Sequence, residues 1–390
     1  MKIQKTAVAF FLFLLYNKIV SRNLLLLKGS FFMNQQRIEC VLKKMEGEGL
    51  SQLLVTDPLS IWYLTGSMIH PGERMLALLL KSDGNHRFFV NALFPAPDCG
   101  IPVVRYSDTD DGPAFIAKEL DPKQPVGIDK NWPSRFLIRL MELSAASGFV
   151  NGSGCVDWVR AVKDADEQEK MRKSSLVNDA CMEEFKNALH VGATEKELEE
   201  KFVSIYAAHG CSDVSFTPIV GFSANAADPH HENDGTKLEK GMCVLIDVGG
   251  VYDGYCSDMT RTFFTAPPTE EQETVYNLVR KANETAEALV RPGVKLCDID
   301  RAAREVIEKA GYGEYFYHRL GHFIGLEDHE YGDVSSAFDR PVEEGMCFSI
   351  EPGIYLEGKF GVRIEDLVIV TKDGCEVLNH YPKELTVLSL

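Results

Sequence analysis

Asp247, Asp258, Glu351 and Glu365 sit among residues that a folded chain normally buries, in "LIDVGG", "GYCSDMTRTFF", "FSIEPG" and "VRIEDLVIV". A buried carboxylate without a partner is strongly unfavourable, so these segments either face water or hold a cation. Period-two alternation in "LIDVG" puts Asp247 on the face opposite Val244, Ile246 and Val248. "FSIEPG" ends a strand on Glu351, and "VRIEDLVIV" buries Glu365 within another. Taken singly, each acid could be a solvent-facing or salt-bridged strand residue. Together, four carboxylates aimed into one interior repel one another unless cations compensate. His322, in "RLGHFIG", adds one imidazole. An oxygen-rich set with one imidazole suits Mn²⁺, Fe²⁺, Co²⁺ or Zn²⁺ better than a cysteine-based structural site. Two metals sharing four carboxylates suffice to activate a bridging water for hydrolysis.

The elements that must position these residues read as strands accompanied by well-marked helices. "MCVLIDVGG", "GYCSDMTRTFF", "MCFSIEPGIYLE" and "FGVRIEDLVIVT" are antiparallel-looking strands. A long amphipathic helix is expected from about 166 to 189, with Val177, Cys181, Phe185 and Ala188 on one face. Thr194 with Glu197 and Thr269 with Gln272 fit the capping box, and Gly210 and Pro292-Gly293 supply stops. A further helix begins near Asp298 and ends at Gly311. Helices grouped apart from antiparallel strands indicate an α+β domain. "GMCVLIDVGG" and "GMCFSIEPGI" echo each other, which suggests a duplicated hairpin unit.

Residues 34–160 carry a different pattern. "QLLVTD", "MLALLLKS", "HRFFVN", "IPVVRYS" and "PVGIDK" are short strand-like runs bounded by turn residues, as in a smaller α/β domain. The tract "NGSGCVDWVRAVKDADEQEK" has the polar, glycine-bearing character of a domain junction. At 390 residues, with 45% hydrophobic and 25% charged residues, two domains are the natural expectation. The net charge of −17 argues against nucleic acid, whose affinity comes from Lys and Arg. Ten single cysteines with no CxxC pair point to a reducing, cytoplasmic setting. Residues 1–33 stand apart. "TAVAFFLFLLYNKIV" follows two lysines like a signal-peptide core, yet no small-x-small site follows. An upstream extension and an export signal or membrane anchor both remain open.

The order Asp247, Asp258, His322, Glu351, Glu365, with "GH" before "IGLEDHE", "EPGIY" and "GVRIED", resembles the metallopeptidase family of prolidase, Xaa-Pro aminopeptidase and methionine aminopeptidase. The resemblance implies a pita-bread catalytic domain over residues 161–390. It extends to a creatinase/prolidase-like N-terminal domain over 34–160, where "PLSIWYLTG" is the best match. By this resemblance Asp247 would bind one metal, Asp258 and Glu365 would bridge two, and His322 and Glu351 would complete the other. Glu351 would also move the proton of the bridging water, and His329 would stabilise the tetrahedral intermediate. His230 in "ADPHHEN" matches the substrate-contacting histidine, with His231 the competing register. His318, Arg319, Arg363 and Tyr355 match positions that bind substrate or support the ligands. The cofactor implied is a pair of divalent ions, manganese first, with cobalt, iron or zinc accepted.

The activity implied is hydrolysis of Xaa-Pro bonds in dipeptides or short peptides. Such a bond is a tertiary amide without an N–H, which general proteases do not process. Arg319 in "HRLGH" is the candidate for holding a dipeptide's carboxylate. Two residues depart from the family pattern: Phe323 replaces a small glycine after the ligand histidine, and "HEYGD" lacks the usual proline. Both are expected beside the substrate pocket. The alternatives are an Xaa-Pro aminopeptidase acting on longer peptides and a non-catalytic or creatinase-like relative. The resemblance also implies a homodimer in which "SIWYLTGSMIHPGERM", with Trp62, Tyr63, His70 and Arg74 on a loop-rich stretch, helps bound the active site.

Overall fold

The computed structural model describes residues 33–96 and 98–390. The extension-or-signal segment, apart from Met33, lies outside the described residues. Among the described residues no helix is long and apolar enough to cross a membrane. The chain divides into two compact units, one ending at Val156 and one running from Asp157 to Leu390.

In the first unit six strands form one sheet, in the order Val103–Tyr106, Arg87–Asn91, Leu76–Lys81, Gln52–Val55, Pro125–Ile128 and Gly148–Asn151. "QLLV" is buried at every position and "LALLLK" at all but its last, so these strands read as continuous apolar runs rather than alternations. The stretch around Trp62 is less loop-like than its sequence suggests. Asp57 caps a helix over Pro58–Thr65 by accepting from the Ser60 N–H at 2.8 Å, and Tyr63 is buried. Arg74 is paired with Asp108 at 2.8 Å.

The second unit is α+β. Its central strands lie in two sheets. One runs Thr386–Val387, Met259–Phe264, Cys243–Val248, Ile219–Phe222; the other runs Glu330–Val334, Gly321–Phe323, Cys347–Ile350, Asp366–Val370, Cys375–Val377. A two-stranded hairpin, Gly353–Leu356 with Phe360–Arg363, stands beside them. Helices Glu270–Glu287 and Leu296–Lys309 pack on one side through Val275, Val279, Ile299 and Ala303, against Leu245, Phe264, Phe348 and Val368. Helices Ala165–Ala188 and Glu195–Ala208 cover Val244, Ile246 and Val248 through Cys181, Phe185 and Phe202. Both expected capping boxes form. The echoed sequences are geometrically equivalent as well. Each opens a central strand after a glycine in the left-handed region, Gly241 (φ 98°) or Gly345 (φ 88°). Each also repeats an N–H to sulfur contact of 3.3 Å, to Met242 and to Met346.

The polar tract read as a domain junction contains the boundary between the two units and is itself folded. "GCVDWVRA" forms a helix over Gly154–Ala161, and Arg160 and Lys163 are buried. Their charge is absorbed by Glu330, which receives Arg160 Nη2 at 2.7 Å and Lys163 Nζ at 2.9 Å.

Candidate metal centre

Alternation along Cys243–Val248 delivers Asp247 to the site, with Val244, Ile246 and Val248 turned to the opposite core. Glu351 stands at a strand end as expected, whereas Asp258 and Glu365 lie just outside strands rather than within them. Asp258 precedes strand Met259–Phe264, Glu351 follows Cys347–Ile350, and Glu365 falls in the two-residue break between Phe360–Arg363 and Asp366–Val370. They occupy the ends and switch points of strands, where the chain leaves one sheet. A carboxylate there can swing into a cavity without interrupting a ladder of backbone hydrogen bonds. Pro352, which has no N–H, ends the ladder directly after Glu351.

His322 depends on a close approach of strands. A Cβ on Gly321 would stand 1.9 Å from the Ser349 carbonyl oxygen, so only glycine lets strand Gly321–Phe323 come this near. The His322 N–H then reaches Ser349 Oγ at 3.0 Å. Nδ1 of His322 lies 3.2 Å from the Phe323 carbonyl oxygen, an acceptor, and therefore carries the ring proton. The bare Nε2 consequently faces Asp258 Oδ2 at 3.5 Å and Glu351 Oε1 at 3.6 Å. Burial holds the imidazole well below its usual pKa, hence neutral. An unprotonated nitrogen aimed at two carboxylates is repulsive unless a cation lies between them.

The carboxylates tell the same story. Asp247 Oδ1, Asp258 Oδ1 and Glu365 Oε1 are buried with no hydrogen-bond donor. Ligand atoms of Asp258, His322 and Glu365 lie within 4.8 Å of one another. Burial, then the neighbouring Glu365, raises the Asp258 pKa well above the carboxylate range. Burial, then Glu351 and Asp247, does the same to Glu365. Glu351 is pushed up to about 8, by burial and against the pull of Arg363. Oxygen donors, one bare imidazole nitrogen and unsatisfied buried acceptors fit divalent metal ions.

A support layer orients the ligands. Thr260, two residues beyond Asp258 and on the same face, donates its hydroxyl to Glu365 Oε2 at 2.7 Å and accepts from Arg363 Nε at 3.0 Å. Arg363 also donates Nη2 to Asp247 Oδ2 at 2.5 Å and Nη1 to Tyr355 Oη at 2.9 Å. His318 Nδ1 sits 2.7 Å from the Arg319 carbonyl oxygen and so donates there. Its Nε2, 2.9 Å from Tyr355 Oη, accepts the tyrosine proton. His318, Tyr355, Arg363 and Asp247 thus form one directed chain. Buried Arg261 holds the Glu365 carbonyl at 2.7 Å and Asp366 Oδ1 at 2.7 Å, which fixes the break that presents Glu365.

The rim is assembled from two further segments. Both His230 and His231 line the cavity, but His231 Nε2 meets the fully buried Glu195 at 2.7 Å and is tied down, whereas His230 is exposed. The His329 ring lies 3.9 Å from that of His322. Its Nδ1 is 3.1 Å from Arg319 Nη2, and the same guanidinium is bound to Asp333. Phe323 is a correction to expectation: its side chain is fully buried and absent from the cavity lining. It packs edge-on to Trp158 and lies 2.5 Å from where a Cβ on Gly332 (φ 128°) would stand. The two departures from the family pattern are therefore mutual accommodations within the core, bulky Phe323 filling the space that Gly332 leaves.

Thr260, Arg261, Glu195, Asp328 and the Arg160–Lys163–Glu330 cluster were not singled out from sequence. The period-two spacing of Asp258 and Thr260 was available as a signal; the others make long-range contacts with no local signature. Glu330 bridges two buried cations, which outweigh burial and hold its pKa at about 2. Glu330→Ala is expected to cost about 3 kcal/mol or more, because two buried charges lose their shared partner. That corresponds to a thermal midpoint lower by roughly 6–12 °C. An unchanged midpoint in calorimetry would contradict this reading of the cluster.

The four acids, His322, His329, Arg319 and Arg363 line one cavity of about 620 Å³. Known proteins of similar sequence and structure share this architecture. Residues 37–162 match the model of the creatinase/prolidase N-terminal domain, and residues 169–372 that of metallopeptidase family M24. An uncharacterized peptidase from Staphylococcus aureus is 38% identical over 358 residues, covering 89% of this chain and 99% of that protein. The crystal structure of a dipeptidase from Mycobacterium ulcerans superposes with a TM-score of 0.87 at 34% identity, covering 91% of this chain and 98% of that one. A prolidase from Thermococcus sibiricus gives 0.85 at 33% identity, covering 92% and 100%. The protein is a two-domain enzyme of the pita-bread fold and belongs to metallopeptidase family M24.

Proposed function

We propose that the protein hydrolyses Xaa-Pro peptide bonds, acting as an Xaa-Pro dipeptidase with two divalent metal ions, manganese first among them. The observation that carries this reading is the joining of the ligand cluster to an apolar wall of Phe216, Pro218, Ile219 and Pro229 in one cavity, a lining suited to a proline ring. The likeness to a dipeptidase and a prolidase over nearly their whole lengths supports it.

Asp247, Asp258, Glu365, His322 and Glu351 would hold the metals, which supply an activated water and polarise the scissile carbonyl. Glu351 has the most exposed side chain of the four acids, 16% against 12% for Asp247 and 5% for Asp258, with Glu365 almost fully buried. It is therefore the one placed to pass a proton towards the substrate nitrogen. His329, half exposed beside His322, would donate to the oxygen on which charge develops, and His230 would contact the substrate across the cavity. His329→Ala is expected to lower turnover about 10²-fold, as for loss of one oxyanion donor. Metal content should be unchanged; a variant that loses metal would make His329 a ligand instead.

One observation favours the aminopeptidase alternative. Arg319 is already engaged by Asp333 and His329, so it can receive a dipeptide carboxylate only by leaving them. Initial rates on Xaa-Pro, Xaa-Pro-Yaa and Xaa-Ala decide between the two. Dipeptidase function requires Xaa-Pro to be the best substrate. Faster cleavage of Xaa-Pro-Yaa would assign the aminopeptidase activity, and preferential cleavage of Xaa-Ala would overturn both.

A further inference from the structure

Asp328 lies in "GLEDHE", between Glu327, which accepts from Arg160 Nη2 at 2.8 Å, and the rim residue His329. The turn that carries it is fastened to the strand leading into Asp258. Cys256 N–H donates to the Gly325 carbonyl at 2.7 Å, Gly325 N–H to the Glu327 carbonyl at 3.0 Å, and Leu326 N–H to Glu330 Oε1 at 3.0 Å. Glu330 is in turn locked to Arg160 and Lys163. The outcome is a fixed turn that sets the Asp328 carboxyl against that of Asp258, within hydrogen-bonding reach, and into the cavity lining.

Two carboxyls this close, one of them fully buried, are not satisfied by the protein around them. Asp328 Oδ1 and Asp258 Oδ1 are both buried without a donor. His329, whose Nδ1 accepts from Arg319 Nη2, directs its Nε2–H at Asp328 Oδ2 at 3.3 Å and leaves Oδ1 uncompensated. Arg319 is occupied by Asp333. With Asp328 the cluster holds five carboxylates. Arg363 donates one positive charge to it, and two divalent cations would supply the four that remain.

We infer that Asp328 is an additional carboxylate ligand of the metal centre, directed at the ion that Asp258 and His322 share, and that it biases this centre towards hard, oxygen-seeking Mn²⁺ over Zn²⁺. The inference rests on the metal-centre reading above. A further anionic oxygen raises the coordination that the site can offer. Mn²⁺ accepts such oxygen-rich sets readily, whereas Zn²⁺ is most often four-coordinate with nitrogen or sulfur ligands.

The test is metal binding by the full chain, independent of turnover. Metal-stripped parent, Asp328→Asn and Glu365→Gln are titrated with Mn²⁺, followed by calorimetry and by the electron paramagnetic resonance of free Mn²⁺, then competed with Zn²⁺. Asp328→Asn is expected to weaken one of two Mn²⁺ sites by about 10-fold or more and to shift the Mn²⁺/Zn²⁺ competition towards zinc by a similar factor, on the scale found when groups around a metal are removed. Asp328→Ala, which also lacks the carboxylate, should behave alike and serves if the amide variant does not fold. Parent-like Mn²⁺ affinities at both sites in either variant, with Glu365→Gln losing metal, would overturn this inference alone. If Glu365→Gln also keeps both sites, the metal-centre reading itself falls, and this inference with it.

Discussion

Glu365→Ala is expected to reduce turnover at least about 10³-fold, since a metal centre contributes several kcal/mol to the transition state and each 1.4 kcal/mol is tenfold. The same substitution should lower the metal bound per chain. Its effect on stability runs the other way in the metal-stripped protein. Glu365 is fully buried, its Oε1 has no donor, and Glu351 and Asp247 repel it. Removing it relieves that repulsion, so the stripped variant should melt at or above the stripped parent, while the stabilisation that metal confers on the parent shrinks. Near-parent turnover with full metal content would show that Glu365 is structural. A stripped variant much less stable than the stripped parent would show that its carboxylate is satisfied in some other way.

The second large effect is a pH dependence with inverted sign. Most paired carboxylates stabilise a fold above pH 4, but here burial and mutual repulsion raise the pKa values: Glu351 to about 8, Asp328 to about 7, and Asp258 and Glu365 well above the usual range. In the window between unfolded and folded values the native state binds more protons than the unfolded one, so stability falls as pH rises. Metal-stripped protein should therefore lose stability from about pH 6.5 to pH 8, above the range in which His318 and His322, whose pKa values burial lowers, contribute the opposite slope; the loss is roughly 5 °C or more in melting temperature if it exceeds about 2 kcal/mol. Metal-loaded protein should not, because the cations favour the ionised acids. Glu330 and Asp366, whose pKa values are lowered by their cationic partners, are ionised throughout this window and add no opposing slope. A stripped protein that grows steadily more stable up to pH 8 would contradict the assignment of an unpaired acid cluster.

Much of this site was legible in the sequence because acids in apolar surroundings are conspicuous. Asp247 was placed on the correct strand face by alternation alone, and both capping boxes were readable from Thr194 and Thr269. The strand end at Glu351 was readable too, but the breaks at Asp258 and Glu365 were not. Glu365 looked like a mid-strand residue in "VRIEDLVIV", yet the chain changes sheets there, and what fixes the break is Arg261 reaching from a distant strand. Phe323 looked like a pocket residue because it follows a ligand. The irregularity in strand pairing after His322 turns it into the core, against Gly332. The charged tract around Arg160 and Lys163 read only as a domain junction and not as a buried ion cluster, since its counter-charge, Glu330, is far away in sequence. Local pattern revealed what each segment prefers; the long-range ion pairs that complete the site have no local pattern to reveal.

The central claim is that buried acids from separate strand ends form one metal-dependent hydrolytic centre. The most direct measurement is a titration of metal-stripped protein with Mn²⁺ in which bound metal and hydrolysis of an Xaa-Pro dipeptide are followed together. The account predicts no turnover in the stripped protein and full turnover once two equivalents per chain are bound. Undiminished turnover by stripped protein that binds no metal would contradict it.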